Sequence, residues 1–111
     1  MKESFRFTKK ERLTLPQDFR RVMKSGKRLA SKHYLLFLME NEKGYHRLGI
    51  VAKKEIGPAS LRNRMKRYLR EFFRLHKHQI KGQLDMVILV KKGSLPSRYQ
   101  ETEEEFRKIL I

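Results

Sequence analysis

The sequence predicts an α+β fold: a single small domain, α-β-β-β-α-β-α, with one four-stranded sheet. Three observations carry this. Residues 33–40, 45–54 and 84–91 hold β-rich apolar runs, and 27–31 reads as a shorter strand before them. Three other stretches repeat apolar residues at helical spacing. The length of 111 residues suits one domain with a modest core.

Residues 1–13 are set apart as a basic, aromatic N-terminal arm. Phe5 and Phe7 alternate with Lys2, Arg6, Lys9, Lys10 and Arg12 without a helical or strand period. Two readings stand for it. It is a partly ordered terminus, or it lies against the domain on Phe5 and Phe7 with its cations facing a phosphate backbone. Thr14-Leu15-Pro16-Gln17 resembles a capping box with proline in the first turn. Phe19, Val22 and Met23 then follow at i, i+3 and i+4, and Gly26 is a stop.

The strand at 33–40 is apolar on both faces, and 41–44, Asn-Glu-Lys-Gly, is a turn. In the strand at 45–54, Leu48, Ile50 and Ala52 share one face, while Val51 shares the other with Arg47, Gly49 and Lys53. Near the C-terminus, Ser97 with Gln100 forms a second capping box. Glu101, Glu103, Glu104 and Glu105 sit early in the last helix, where acids suit the dipole and face solvent. Three helices on so small a sheet leave one face, carrying Phe37 or Tyr34, as a partly open cleft.

The chain is organised around residues 53–77. Gly57 is placed as the cap and Pro58 as the first helical residue, with the helix running to about residue 78. At roughly 100° per residue, Leu61, Met65, Tyr68, Leu69, Phe72 and Leu75 gather on one arc. Arg62, Lys66, Arg67, Arg70, Arg74 and Lys77 gather opposite with Asn63, and Arg64 falls at the border. Only one acid, Glu71, lies within this helix. A ridge so short of compensating acids at i±4 repels itself unless it faces a polyanion. Guanidinium forks match phosphate oxygens in pairs.

Composition agrees. The formal net charge is +16 and the isoelectric point about 10.5, which points to nucleic acid or an anionic surface as partner. No cysteine is present, so disulfides and cysteine zinc sites are excluded and a reducing compartment fits. No apolar run reaches the roughly 18 residues of a membrane span. The expectation is a cytoplasmic protein without a membrane partner. The amphipathic helix could lie on a membrane surface, but its apolar arc is needed to cover the sheet. No helix-turn-helix spacing precedes it, so DNA is not an expected partner.

No catalytic constellation emerges. His33, His46, His76 and His78 are scattered and read as plain surface residues, no glycine-rich phosphate loop occurs, and no metal site is expected. On residues alone the chain reads as a nucleic-acid-binding protein, with a ribosomal or ribosome-assembly protein and a protein-only nuclease among the functions to weigh. The last is disfavoured because clustered carboxylates for two metals are lacking.

The stretch Lys53-Lys54, Arg62-Asn63-Arg64-Met65-Lys66-Arg67 and Arg70-Glu71 resembles the bacterial ribonuclease P protein component, whose signature runs R-N-R-x-K-R-x-x-R-E. Asp18-Phe19 and the downstream Gly26 extend the resemblance over nearly the whole chain. It implies a protein cofactor of a catalytic RNA subunit, the pair forming an endoribonuclease that removes the 5′ leader of precursor tRNA. It implies no catalytic residue and no cofactor in this chain, with Mg2+ required by the RNA. Arg62, Asn63, Arg64, Lys66, Arg67 and Arg70 would meet the RNA subunit. Phe19, Met23, Phe37, Val51 and Lys53 would line a cleft for the single-stranded leader. It further implies a left-handed β-α-β crossover around the basic helix, as in ribosomal protein S5 domain 2-like folds.

Overall fold

The computed structural model describes residues 6–111. Helix α1 (Pro16–Ser25) leads into strands β1 (Lys27–Ala30), β2 (Tyr34–Glu40) and β3 (Arg47–Val51). Helix α2 (Ala59–His76), strand β4 (Leu84–Val90) and helix α3 (Tyr99–Leu110) complete the order read from the sequence. The strands lie in the order β1-β2-β4-β3. β2 pairs antiparallel with both β1 and β4, whereas β3 and β4 are parallel neighbours, so α2 is the helix of a β-α-β crossover.

Strand alternation divides the core in two. Tyr34, Leu36, Met86, Ile88 and Val90 point to one face, where Met65, Leu69 and Phe72 of α2 and Phe106 of α3 cover them. Phe37 and Val87 point to the other, where Val22 of α1 and Leu13 bury them. Two helices therefore cover one face and a single ten-residue helix the other. Leu35, Val51 and Leu89 stay half-buried at the uncovered end. This settles which face is open: Phe37 belongs to it, while Tyr34 lies fully buried under α3 with its hydroxyl 2.8 Å from that of Thr102.

Several boundaries move by one or two residues. The cap of α1 is Leu15, not Thr14, and no side chain caps it, since leucine carries no acceptor; Pro16 at the first position leaves one fewer free amide at that end. The cap of α2 is Pro58, while Gly57 adopts φ 147°, a region open to glycine alone. The second capping box uses Glu101 rather than Gln100: its carboxylate accepts from the Ser97 amide and hydroxyl and the Arg98 amide. The α-helical part of α2 ends at His76, with a 3-10 turn over Lys77–Gln79. Strand β3 stops at Val51, so Lys53 and Lys54 lie beyond it, and Lys54 opens a short 3-10 turn. At Gly26 space is decisive, because a Cβ would stand 2.5 Å from the Val22 carbonyl oxygen and 2.8 Å from that of Leu38.

Candidate nucleic-acid interface

The buried side of α2 consists of Met65, Leu69, Phe72, Phe73 and His76. That arc is turned by about 50° from the one read on the helical wheel, towards Arg62 and Lys66. The cause is Phe73, which packs edge-on against Phe7 of the N-terminal segment at 5.2 Å between ring centres. Arg62 and Lys66 become half-buried, while Asn63, Arg64, Arg67 and Arg70 remain exposed. Among the described residues, none of Arg62, Arg64, Lys66, Arg67 and Arg70 forms an ion pair. The Nε of Arg62 is buried without a hydrogen-bond partner.

The two cations at the C-terminal end of the expected ridge are used internally. Arg74 pairs with Glu71 at 2.6 Å. Lys77 is buried: its ammonium sits 2.8 Å from Glu11 Oε2 and also donates to the Arg6 carbonyl. Burial raises the Glu11 pKa, but bonds from Lys77 and from the Thr8 amide and hydroxyl outweigh it and hold the carboxyl below its ordinary value.

This pair pins the N-terminal segment. The Leu13 amide donates to the Leu48 carbonyl at 3.0 Å, so the segment covers the free edge of β3. The arm thus lies against the domain from Phe7 onward, and the role assigned to Phe5 falls outside the described residues. Arg12 places its guanidinium 4.5 Å above the Phe7 ring. Between the segment and α2 runs a groove of 530 Å³ lined by Phe7, Arg12, Asn63, Arg67, Arg70 and Glu71, with Arg74 at its end. A smaller pocket of 170 Å³ adjoins it, bringing Phe19 together with Lys66 and Arg70.

The expected cleft residues gather around the thinly covered sheet face. Phe37 is 8% exposed and forms part of the core beneath α1. Phe19, Met23 and Val51 pack at its margin and stay half-buried, and Lys53 is exposed just past the end of β3. Gly49 seats Phe19, since a Cβ there would come within 2.6 Å of the ring. The other end of the face is closed by Asp85, fully buried. It accepts from Arg47 at 2.7 and 2.8 Å, Asn41 at 2.8 Å and Arg21 at 3.1 Å. Burial pushes the Asp85 pKa up, but these donors outweigh it and hold the carboxyl low. Hydrogen bonds to Asp85 raise Arg47 in turn.

Three histidines expected at the surface are buried instead. His33 and His76 meet the carboxylates of Glu105 at 2.7 Å and Glu103 at 3.1 Å, so these α3 acids face inward rather than into solvent. His46 bridges the Ile80 carbonyl and the Leu84 amide. Among the described residues no group of three or more His, Cys, Asp or Glu is arranged to hold a metal. Lys77 is the residue that helical periodicity misassigned, Glu11 and Phe73 are structural contributors given no role by the sequence reading, and Phe7 anchors the segment as one of its two readings expected. The one usable signal was Glu11, the sole acid between Arg6 and Arg12.

A small α+β domain with a cationic helix face unpaired among the described residues, a docked basic segment and a half-covered apolar sheet has the features of a nucleic-acid-binding protein. A family model described as Ribonuclease P matches residues 7–111, and the chain belongs to that family. It is 38% identical over 103 residues to a Ribonuclease P protein component of Thermotoga maritima, covering 93% of this chain and 81% of that one. A second protein of that name, from Syntrophus aciditrophicus, is 36% identical over 102 residues, covering 92% of this chain and 86% of the other. The solved RNase P protein from Thermotoga maritima superposes with a TM-score of 0.79 at 33% identity, covering 90% of this chain and 94% of that one. The mixed four-stranded sheet and three helices are those of this family.

Proposed function

We infer that this chain is the protein subunit of a ribonuclease P holoenzyme acting on precursor tRNA. Arg62, Asn63, Arg64, Lys66, Arg67 and Arg70 grip the catalytic RNA subunit. Phe19, Met23, Phe37, Val51 and Lys53 form the wall along which the single-stranded 5′ leader runs. One observation supports the reading: among the described residues five cations on one helix have no carboxylate partner, and they stand beside a half-covered apolar sheet face.

The energetics follow from the geometry. Phosphates that replace solvent around these cations release counterions, so affinity falls steeply with salt. Half-buried apolar side chains give sequence-tolerant contact to unpaired bases, and Lys53 holds the backbone beside them. Only the precursor carries a leader, so this contact separates substrate from product. Phe37, being mostly buried, acts chiefly as the floor of that wall, with Met23 and Val51 nearer its surface. Magnesium held by the RNA supplies the activation of water. This chain binds and orients.

The test is precursor-tRNA cleavage at low magnesium. The purified polypeptide alone should cut nothing, yet should sharply accelerate cleavage by its RNA. RNA-only cleavage that proceeds equally well under those conditions refutes the inference. Sequencing the RNA that co-purifies with the chain gives a second check: one species of a few hundred nucleotides is expected, and ribosomal RNA would refute the assignment.

A further inference from the structure

The groove between the N-terminal segment and α2 has a chemistry that the helix ridge alone does not. One wall is Arg12, exposed, its guanidinium carbon 4.5 Å over the ring of Phe7, which Phe73 meets edge-on. The other is Arg67 and Arg70, exposed and without ion pairs among the described residues. The Asn63 amide and the Glu71 carboxylate line the same space.

A guanidinium held over one aromatic ring can take a base as a second stacking partner. Arg67 and Arg70 suit the flanking phosphates. The Asn63 amide, and the Glu71 oxygen that Arg74 does not hold, offer acceptors to an exocyclic amino group on a base edge. A groove of 530 Å³ has room for one nucleotide.

We propose that this groove seats one unpaired nucleotide of the catalytic RNA, its base stacked on Arg12 and its phosphates held by Arg67 and Arg70. The proposal rests on the reading of the chain as a ribonuclease P subunit and adds Arg12 to its RNA-binding residues. Phe7 is a positioning residue that keeps the Arg12 plane fixed. Glu11 and Lys77 position the segment one turn away, through their buried pair.

The test compares Arg12→Lys, Arg12→Ala and Arg67→Ala for affinity to the catalytic RNA across a salt series, with precursor-tRNA affinity of the holoenzyme measured in parallel. Arg12→Lys keeps the charge and loses the plane. It should weaken RNA binding about tenfold, the scale of one lost base stack, with an unchanged salt slope. Arg67→Ala should weaken binding and lower the slope by about one. Arg12 is exposed, and Arg12→Lys should unfold at the wild-type temperature.

Wild-type affinity for Arg12→Lys, with a weakened, lower-slope Arg12→Ala, would mean a phosphate contact only and overturn the proposal. Full affinity in both Arg12 variants, with a weakened Arg67→Ala, would overturn it while leaving the ridge assignment standing. A loss confined to precursor tRNA would place the nucleotide in the leader and overturn it as well. If all three variants bind like the wild type, the ridge assignment fails too.

Discussion

Lys77 and Glu11 meet at 2.8 Å across 66 residues of sequence, with both side chains only 7% exposed. This ion pair fixes the N-terminal segment to the end of α2. Removing one partner strands the other charge in the interior. Lys77→Met should therefore destabilise the fold by about 3 kcal/mol, read as a lowered urea midpoint. Glu11→Gln/Lys77→Met together should recover part of that loss. A single variant with the wild-type midpoint would show that the pair is solvated.

Acid should unfold the chain through two carboxylates. For Glu11 and Asp85, burial alone raises the pKa, yet their bonded partners more than offset it, so both native values lie below ordinary ones. A lowered native pKa stabilises the fold above the unfolded-state value and loses that contribution as pH falls through the native value. Urea midpoints measured from about pH 6 down to about pH 2 should fall continuously over the lower part of that range. In Glu11→Gln/Asp85→Asn the fall should be flatter from a lower starting stability. Parallel profiles would remove these groups from the acid response.

Arg64→Ala and Arg67→Ala should each weaken binding to the RNA subunit by about 1–3 kcal/mol, as charge-assisted contacts do. Both residues are exposed and outside every ion pair among the described residues, so the unfolding midpoint should stay put. Filter binding and thermal melts separate the two effects. Lost stability with intact binding would move these arginines into the scaffold.

The cleft calls for a surface probe rather than a buried one. Phe37→Ala should cost about 3 kcal/mol of stability, because the ring belongs to the core under α1. Lys53→Ala removes only an exposed cation. It should weaken leader-bearing precursor several-fold and leave mature tRNA unaffected. Equal losses on both tRNAs would take Lys53 out of leader contact.

Local pattern carried most of the fold. The order of three helices and four strands, the stop at Gly26 and the apolar seam of Met65, Leu69 and Phe72 follow from periodicity and breaker residues. The cationic face of α2 followed from the same wheel. Long-range pairing did not. Lys77 sits on the basic side of the helix in projection, and only the docked segment makes it internal. Phe73 is similar: its partner Phe7 comes from a stretch with no period of its own. His33 and His76 find their carboxylates on α3, at separations that local spacing cannot reach. Both expected capping boxes missed: α1 begins after Leu15 with no side-chain cap, and the box of α3 is closed by Glu101 from Arg98, one residue later than read.

Glu11, Asp18, Glu71, Asp85, Glu101, Glu103 and Glu105 are all engaged by neighbouring groups of the same molecule. A chain of net charge +16 that commits so many of its anions to its own scaffolding has few left to ward off the wrong polymer. Left without its proper companion, it should adhere to heparin or to bulk transcripts almost indiscriminately at low ionic strength. Adhesion of that kind should fade steeply as salt is raised.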